Sequence, residues 1–184
     1  NFGGDPNLGD NDDRIQDLAS CASSTTVTVQ KDLPDGRARG GDQFTLAVTD
    51  GQGAVFLENT TTGSSDGVQP VKAGPVLVRV GSAYGVAETA AGTTVLSDYV
   101  STLACVVDGG GAVTVTPGAN GTSGTFTIPS SAAGKNVTCT FTNIPKPAQL
   151  TLVKAIPDGM GDADPTLWTL TASGGDPAET HSGV

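Results

Sequence analysis

The chain has 184 residues, a net charge of −10 and a sequence pI near 4.2. An acidic surface repels phosphate backbones and anionic lipid, which argues against nucleic acid and membrane surfaces as partners, and no apolar run approaches the roughly 20 residues that span a bilayer. With 26 Gly, 11 Pro and only 15% charged residues, and with Thr, Ser and Val abundant, the composition suits many short strands joined by turns.

Residues 1–24 read as an acidic, Gly/Asp-rich leader or linker with little periodicity, and the start at Asn1 rather than Met fits a processed or excised product. Asp5, Asp10, Asp12 and Asp13 could ligate calcium, but their spacing fails the EF-hand pattern; a solvated loop is the expectation and no metal site is assigned. From Thr25 onward, period-two alternation predicts strands over about 26–31, 43–49, 54–58, 75–80, 83–89, 95–107, 112–116, 124–128 and 136–143. Turn clusters such as "PDG", "TDGQG", "DGGG" and "PGANGTSG" separate them. No window sustains apolar residues at helical spacing. The expected fold class is therefore all-β, an Ig-like β-sandwich over 25–145. A proline-bearing junction follows at 146–149, within "NIPKPA".

Beyond the junction the chain begins again. Lys31, Pro34, Asp35 and Gly36 match Lys154, Pro157, Asp158 and Gly159, and "QFTL" at 43–46 resembles "LWTL" at 167–170. Residues 150–184 are expected to hold the first strands of a second, incomplete β-domain. Two strands cannot bury a core alone, so further chain or a neighbouring molecule would have to complete it.

The chemistry of interest lies on the inner faces. Val27, Val29 and Lys31 share one side of the first strand. A buried ammonium without a partner is costly and tends to lose its proton, and a neutral lysine amine is a nucleophile. Two more strands end in a polar residue on an apolar face: Tyr84, Val86 and Glu88 alternate, as do Val137, Cys139, Phe141 and Asn143. A plainer alternative makes Lys31 the snorkelling end of an edge strand, with Glu88 as its salt-bridge partner.

Cys105 and Cys139 both have apolar neighbours two residues away, and a disulfide between them is predicted; two buried free thiols are the alternative. Cys21 is left over in the leader, to pair with another molecule or an upstream domain or to stay free. Asn59, Asn120 and Asn136 lie in N-x-T sequons, which matter only in a host that glycosylates them. His181 is the only histidine and sits in a polar tail. No Ser-His-Asp site, histidine-rich metal site or phosphate-binding glycine loop is supported, so neither an enzyme nor a cofactor is expected. Trp168 and Phe44 are expected in cores.

Taken in order, Lys31 in the first strand, "YGVAET" with Glu88 in a middle strand and "FTN" with Asn143 ending the last resemble the Cna B-type domain (SpaA-like, prealbumin-like) of Gram-positive and actinobacterial surface proteins and pilins. The resemblance covers about residues 25–145 and begins again at 149. It implies that the Lys31 amine attacks the Asn143 amide, that ammonia leaves, and that an isopeptide bond forms without an external enzyme. It also implies that Glu88 stays protonated, polarises the Asn143 carbonyl and shuttles protons. Two features depart from the pattern: "TAAGTTVLSDY" lacks the proline often found after the glutamate, and the segment from Cys105 to Cys139 looks like an added Gly/Thr-rich hairpin. Some members of the family lack the bond.

The reading that follows is a structural segment of an extracellular surface or filament protein, secreted or cell-surface attached. Its partners would be other copies of itself or neighbouring tandem domains, with a host surface ligand as a further partner class. Lys154 could seek an asparagine from a neighbouring chain if strands of the second unit complete a fold between molecules. The alternative is an adhesive module recognising a host protein or glycan through its loops, although 4% aromatic residues count against sugar stacking. No LPxTG sorting signal is present in the sequence.

Overall fold

The computed structural model describes residues 24–147, 150–155, 169–174 and 179–183. Two compact units divide the chain between Lys146 and Pro147. The first contains strands β1 (Thr26–Leu33), β2 (Asp42–Asp50), β3 (Val55–Thr60), β4 (Gly67–Val68), β5 (Ala73–Leu77) and β6 (Ala83–Gly92). It continues with β7 (Tyr99–Val107), β8 (Ala112–Val113), β9 (Val115–Pro117), β10 (Ser123–Thr127) and β11 (Asn136–Pro145). They form two sheets, ordered β4-β1-β11-β7-β8 with β5 also on β1, and β3-β2-β6-β10-β9.

The alternation in sequence becomes alternation in burial. In β1 and along most of β11 every second residue is buried, and the inner set faces the opposite sheet. Val27, Val29, Leu46, Val86, Val137 and Phe141 meet in that interior, each no more than 2% exposed. A smaller cluster of Leu33, Phe44 and Tyr99 adjoins it. Burial of such side chains is worth about 1.5–3 kcal/mol each, which is what offsets the ordering of so many short strands. The first and last strands are neighbours: β1 runs parallel to β11, with Val29 opposite Cys139 and Lys31 opposite Phe141.

Several elements differ from the sequence expectation. The strand expected over 95–107 starts at Tyr99, because Leu96–Asp98 form a 3-10 turn. The strand expected over 112–116 breaks at Thr114. β8 joins β7 in the first sheet while β9 joins β10 in the second, so the Gly/Thr-rich segment between the cysteines crosses from one sheet to the other. The strand expected over 75–80 is displaced to β5, whose pairing with β1 is irregular between Val27 and Val29. β4 has two residues, too few to show a period.

In the second unit, β12 (Leu170–Gly174) and β13 (Glu179–Gly183) form an antiparallel hairpin, with Leu170 opposite Gly183. Residues 150–155, where alternation predicts a strand, hold no regular element, and Leu150 and Val153 are 73% and 80% exposed. Cys21, the acidic cluster at Asp5–Asp13, Pro157, Asp158, Gly159 and Trp168 lie outside the described residues.

Candidate crosslink site

Three inner-face polar residues converge between the sheets. Lys31 comes from β1 and Asn143 from the adjacent β11, two residues beyond the register partner Phe141. Glu88 reaches them from β6 in the opposite sheet, where it is the register partner of Leu46. Lys31 and Asn143 are fully buried and Glu88 is 3% exposed. One Glu88 oxygen, Oε2, lies 2.5 Å from Lys31 Nζ, and the other, Oε1, accepts a hydrogen bond from Asn143 Nδ2 at 2.7 Å. The Phe44 ring centroid lies 4.3 Å from Lys31 Nζ. Amine and carboxamide are thus both within hydrogen-bonding reach of a single carboxyl group.

The electrostatics favour a labile proton on the amine. Desolvation pushes Lys31 down from 10.5 to about 8, against the opposing pull of the Glu88 charge, the Glu88 hydrogen bond and the Asp32 charge. Asn143 Oδ1 is, among the described residues, the buried side-chain oxygen without a hydrogen-bond partner. Such an orphan costs about 1–3 kcal/mol.

The snorkelling alternative for Lys31 does not hold, because β1 lies between β11 on one side and β4 and β5 on the other, and the side chain has no exposed surface. The ion pair with Glu88 does form. Cys105 and Cys139, directly opposed on β7 and β11, are joined by a disulfide. It lies on the inner face of β11, four residues before Asn143. Asn136 uses its side chain to bind Thr26, Thr28 and Thr138, whereas Asn120 sits exposed in a turn at φ 58°.

A second buried polar network escaped the sequence reading. Asp42 on β2 has no exposed surface; its carboxylate accepts hydrogen bonds from Tyr99 Oη at 2.6 Å, Thr93 Oγ1 at 2.7 Å and the Arg39 amide at 3.0 Å. Arg37 bonds the Asp42 carbonyl and the buried Gln69. Desolvation alone would push Asp42 up, but the Tyr99, Thr93 and Arg39 hydrogen bonds and the Arg39 charge outweigh it and hold the carboxyl below its ordinary value. Tyr99 is pushed up to about 12, by burial first and by its bond to Asp42 second. The signal was present: Asp42 alternates with Phe44, Leu46 and Val48, so it begins the inner face of β2, just as Lys31 alternates with Val27, Val29 and Leu33 on that of β1.

Residues 26–145 match the model of a protein family described as a prealbumin-like fold domain. No curated protein matches the chain. Similar solved structures include a bacterial adhesin from Mobiluncus mulieris containing intramolecular disulfide, isopeptide and ester bond cross-links, at 18% identity and a TM-score of 0.42, covering 67% of this chain and 42% of that one. Another is the major pilin from Streptococcus pyogenes, at 19% identity and a TM-score of 0.39, covering 67% of this chain and 48% of that one. The chain spans less than half the length of either structure. Because the family match takes in both sheets from β1 to β11, this chain belongs to the prealbumin-like fold domain family.

Proposed function

We propose that the chain is a structural segment of an extracellular surface or filament protein, and that its sandwich is closed by an isopeptide bond between Lys31 and Asn143. The observation that carries this reading is the bridging carboxyl: one Glu88 oxygen touches the amine and the other touches the amide nitrogen. In the reaction, neutral Lys31 Nζ forms a bond to Asn143 Cγ and the Cγ–Nδ2 bond breaks. Glu88 takes a proton from the attacking nitrogen and delivers one to the leaving nitrogen, which departs as ammonia. The proton that Lys31 gives up in becoming neutral passes to Glu88 across their contact, and rotating the amide by half a turn would turn Oδ1 toward that proton, satisfying the orphan and polarising the carbonyl. The reaction turns over once and needs no cofactor.

The mechanical consequence follows from topology. A pull applied at the start of β1 and the end of β11 would run through residues 26–31, cross the bond and leave through 143–145. The residues between Lys31 and Asn143 would be shielded from extension. In the same reading, the exposed segment around Leu150 and Leu152 pairs with strands of a neighbouring copy, and Lys154 joins an asparagine there; covalent oligomers surviving denaturation are the expected sign of that step. The test of the intramolecular bond is the intact mass of the reduced, denatured chain. The wild type should be lighter than its sequence by one ammonia, and the Glu88→Ala variant should have the full mass. A wild-type chain of full mass refutes the bond.

A further inference from the structure

We propose that the outer face of the β1-β11-β7 sheet is a lateral docking surface for a second copy of this chain. Four observations on that face point the same way. First, among the described residues of the first unit, five of the nine exposed large hydrophobics lie on it: Val68, Leu77, Val100, Val106 and Ile144. Their register places them there, since each sits opposite an outward residue: Asp32, Thr26, Ile144, Thr138 and Val100 respectively.

Second, six polar side chains on the face satisfy one another. Thr26 and Thr28 donate to Asn136 Oδ1 at 2.9 and 3.0 Å, Asn136 Nδ2 donates to Thr138, and Gln30 Nε2 donates to Thr140. Covering a polar surface is usually opposed by the donors and acceptors it strands. Here the pairing is lateral, within the face, so a partner can cover it without leaving those groups unpaired.

Third, the face is nearly free of charge. Among the outward positions of β1, β11 and β7 the one ionisable side chain is Asp32. Residues 24–146 hold nine acidic and seven basic residues, a net charge of −2, whereas the whole chain carries −10. The acidic excess therefore resides in the flanking sequence, and two sandwiches meeting face to face repel little. Fourth, Asp32 lies toward one end of β1. A two-fold axis in the plane of the interface and across the strands sends the two Asp32 carboxylates to opposite ends, the arrangement an isologous contact requires.

Size sets the strength. Strands of eight to ten residues, at about 3.3 Å per residue and about 4.8 Å apart, give the three-stranded face roughly 400 Å² per copy, or roughly 900 Å² for a pair including the margins. That lies below the standard interface, so association should be weak and concentration-dependent, and it should strengthen where many copies are held side by side.

Sedimentation of the full chain from about 10 µM to about 1 mM tests this over the range in which an interface of that size dissociates. The wild-type mass should climb from 18.2 kDa toward twice that value. The Val100→Lys/Val106→Lys double variant should remain monomeric with an unchanged melting temperature and, relative to its own sequence, the same mass deficit as the wild type. Thr125→Lys, on the outer side of the other sheet, should associate as the wild type does. Any of three results overturns the proposal: a wild type that stays monomeric throughout, a double variant that associates normally, or a double variant that melts lower because another part of the chain covers the face. Loss of association in Thr125→Lys does so too, since it would trace the effect to charge in general.

Discussion

Replacing Asn143 by alanine removes the electrophile and one hydrogen bond, and the two losses differ enough in size to be told apart. Without a crosslink in the wild type, Asn143→Ala deprives the Glu88 carboxyl of its 2.7 Å donor, at a cost of about 2 kcal/mol for a hydrogen bond to a charged group. With a crosslink, the same substitution also reopens a loop closed between residues 31 and 143. The loop-entropy relation gives about 4.8 kcal/mol for a closure of that length, so the total becomes about 7 kcal/mol. For a sandwich of this size, where about 1 kcal/mol shifts the melting temperature by about 4 °C, the two cases predict falls of about 8 °C and about 28 °C. Calorimetry of both proteins reads the difference directly, and mass spectrometry of the same samples shows whether the wild type has lost ammonia. A fall near 8 °C together with a wild type of full mass would refute the reasoning, because both the entropy and the covalent change would be missing.

In that uncrosslinked variant Lys31 should govern stability at alkaline pH. Its amine titrates near 8 when folded and near 10.5 when unfolded, so between these values the unfolded chain binds more protons and stability rises with pH, by up to about 3 kcal/mol. Urea midpoints measured from pH 8 to 10 should climb; a flat profile contradicts the desolvation argument. Above pH 10 the sign reverses, because Tyr99, held at about 12, stays protonated in the fold while the unfolded phenol ionises. Tyr99→Phe should cost about 2 kcal/mol in urea melts by removing a donor from buried Asp42. Because Asp42 is held low in the fold, its contribution is present above its unfolded value and is lost as the pH falls through its folded one; equal acid sensitivity in Asp42→Asn and wild type would contradict this. Replacing both Cys105 and Cys139 by serine opens a loop spanning 34 positions, for which the entropy model gives about 4 kcal/mol, and a loss under 1 kcal/mol in the same melts would show the bridge to be dispensable.

Period-two alternation made the faces legible. It marked Val27, Val29 and Lys31 as one side of a strand, Val137 to Asn143 as one side of another, and Glu88 as the polar end of a third. Each of these residues is buried in the structure. The same signal was weaker where strands are short or shared between sheets: β4 shows no period, and the break at Thr114 depends on which sheet each half joins. Asp42 was overlooked because a carboxylate opening a strand reads as the edge of a turn, and its partners Thr93 and Tyr99 stand 51 and 57 positions away.

The amino-acid order by itself determined that this chain folds into β-strands with three polar groups turned inward, since alternation fixes which side of a strand each side chain occupies. It did not determine what those groups meet. Only the folded arrangement made β1 and β11 parallel neighbours and set β6 across from them, bringing Lys31 and Asn143 to the two oxygens of Glu88. Strand pairing is chosen by packing among residues far apart in the chain, and a period of two carries no information about the partner.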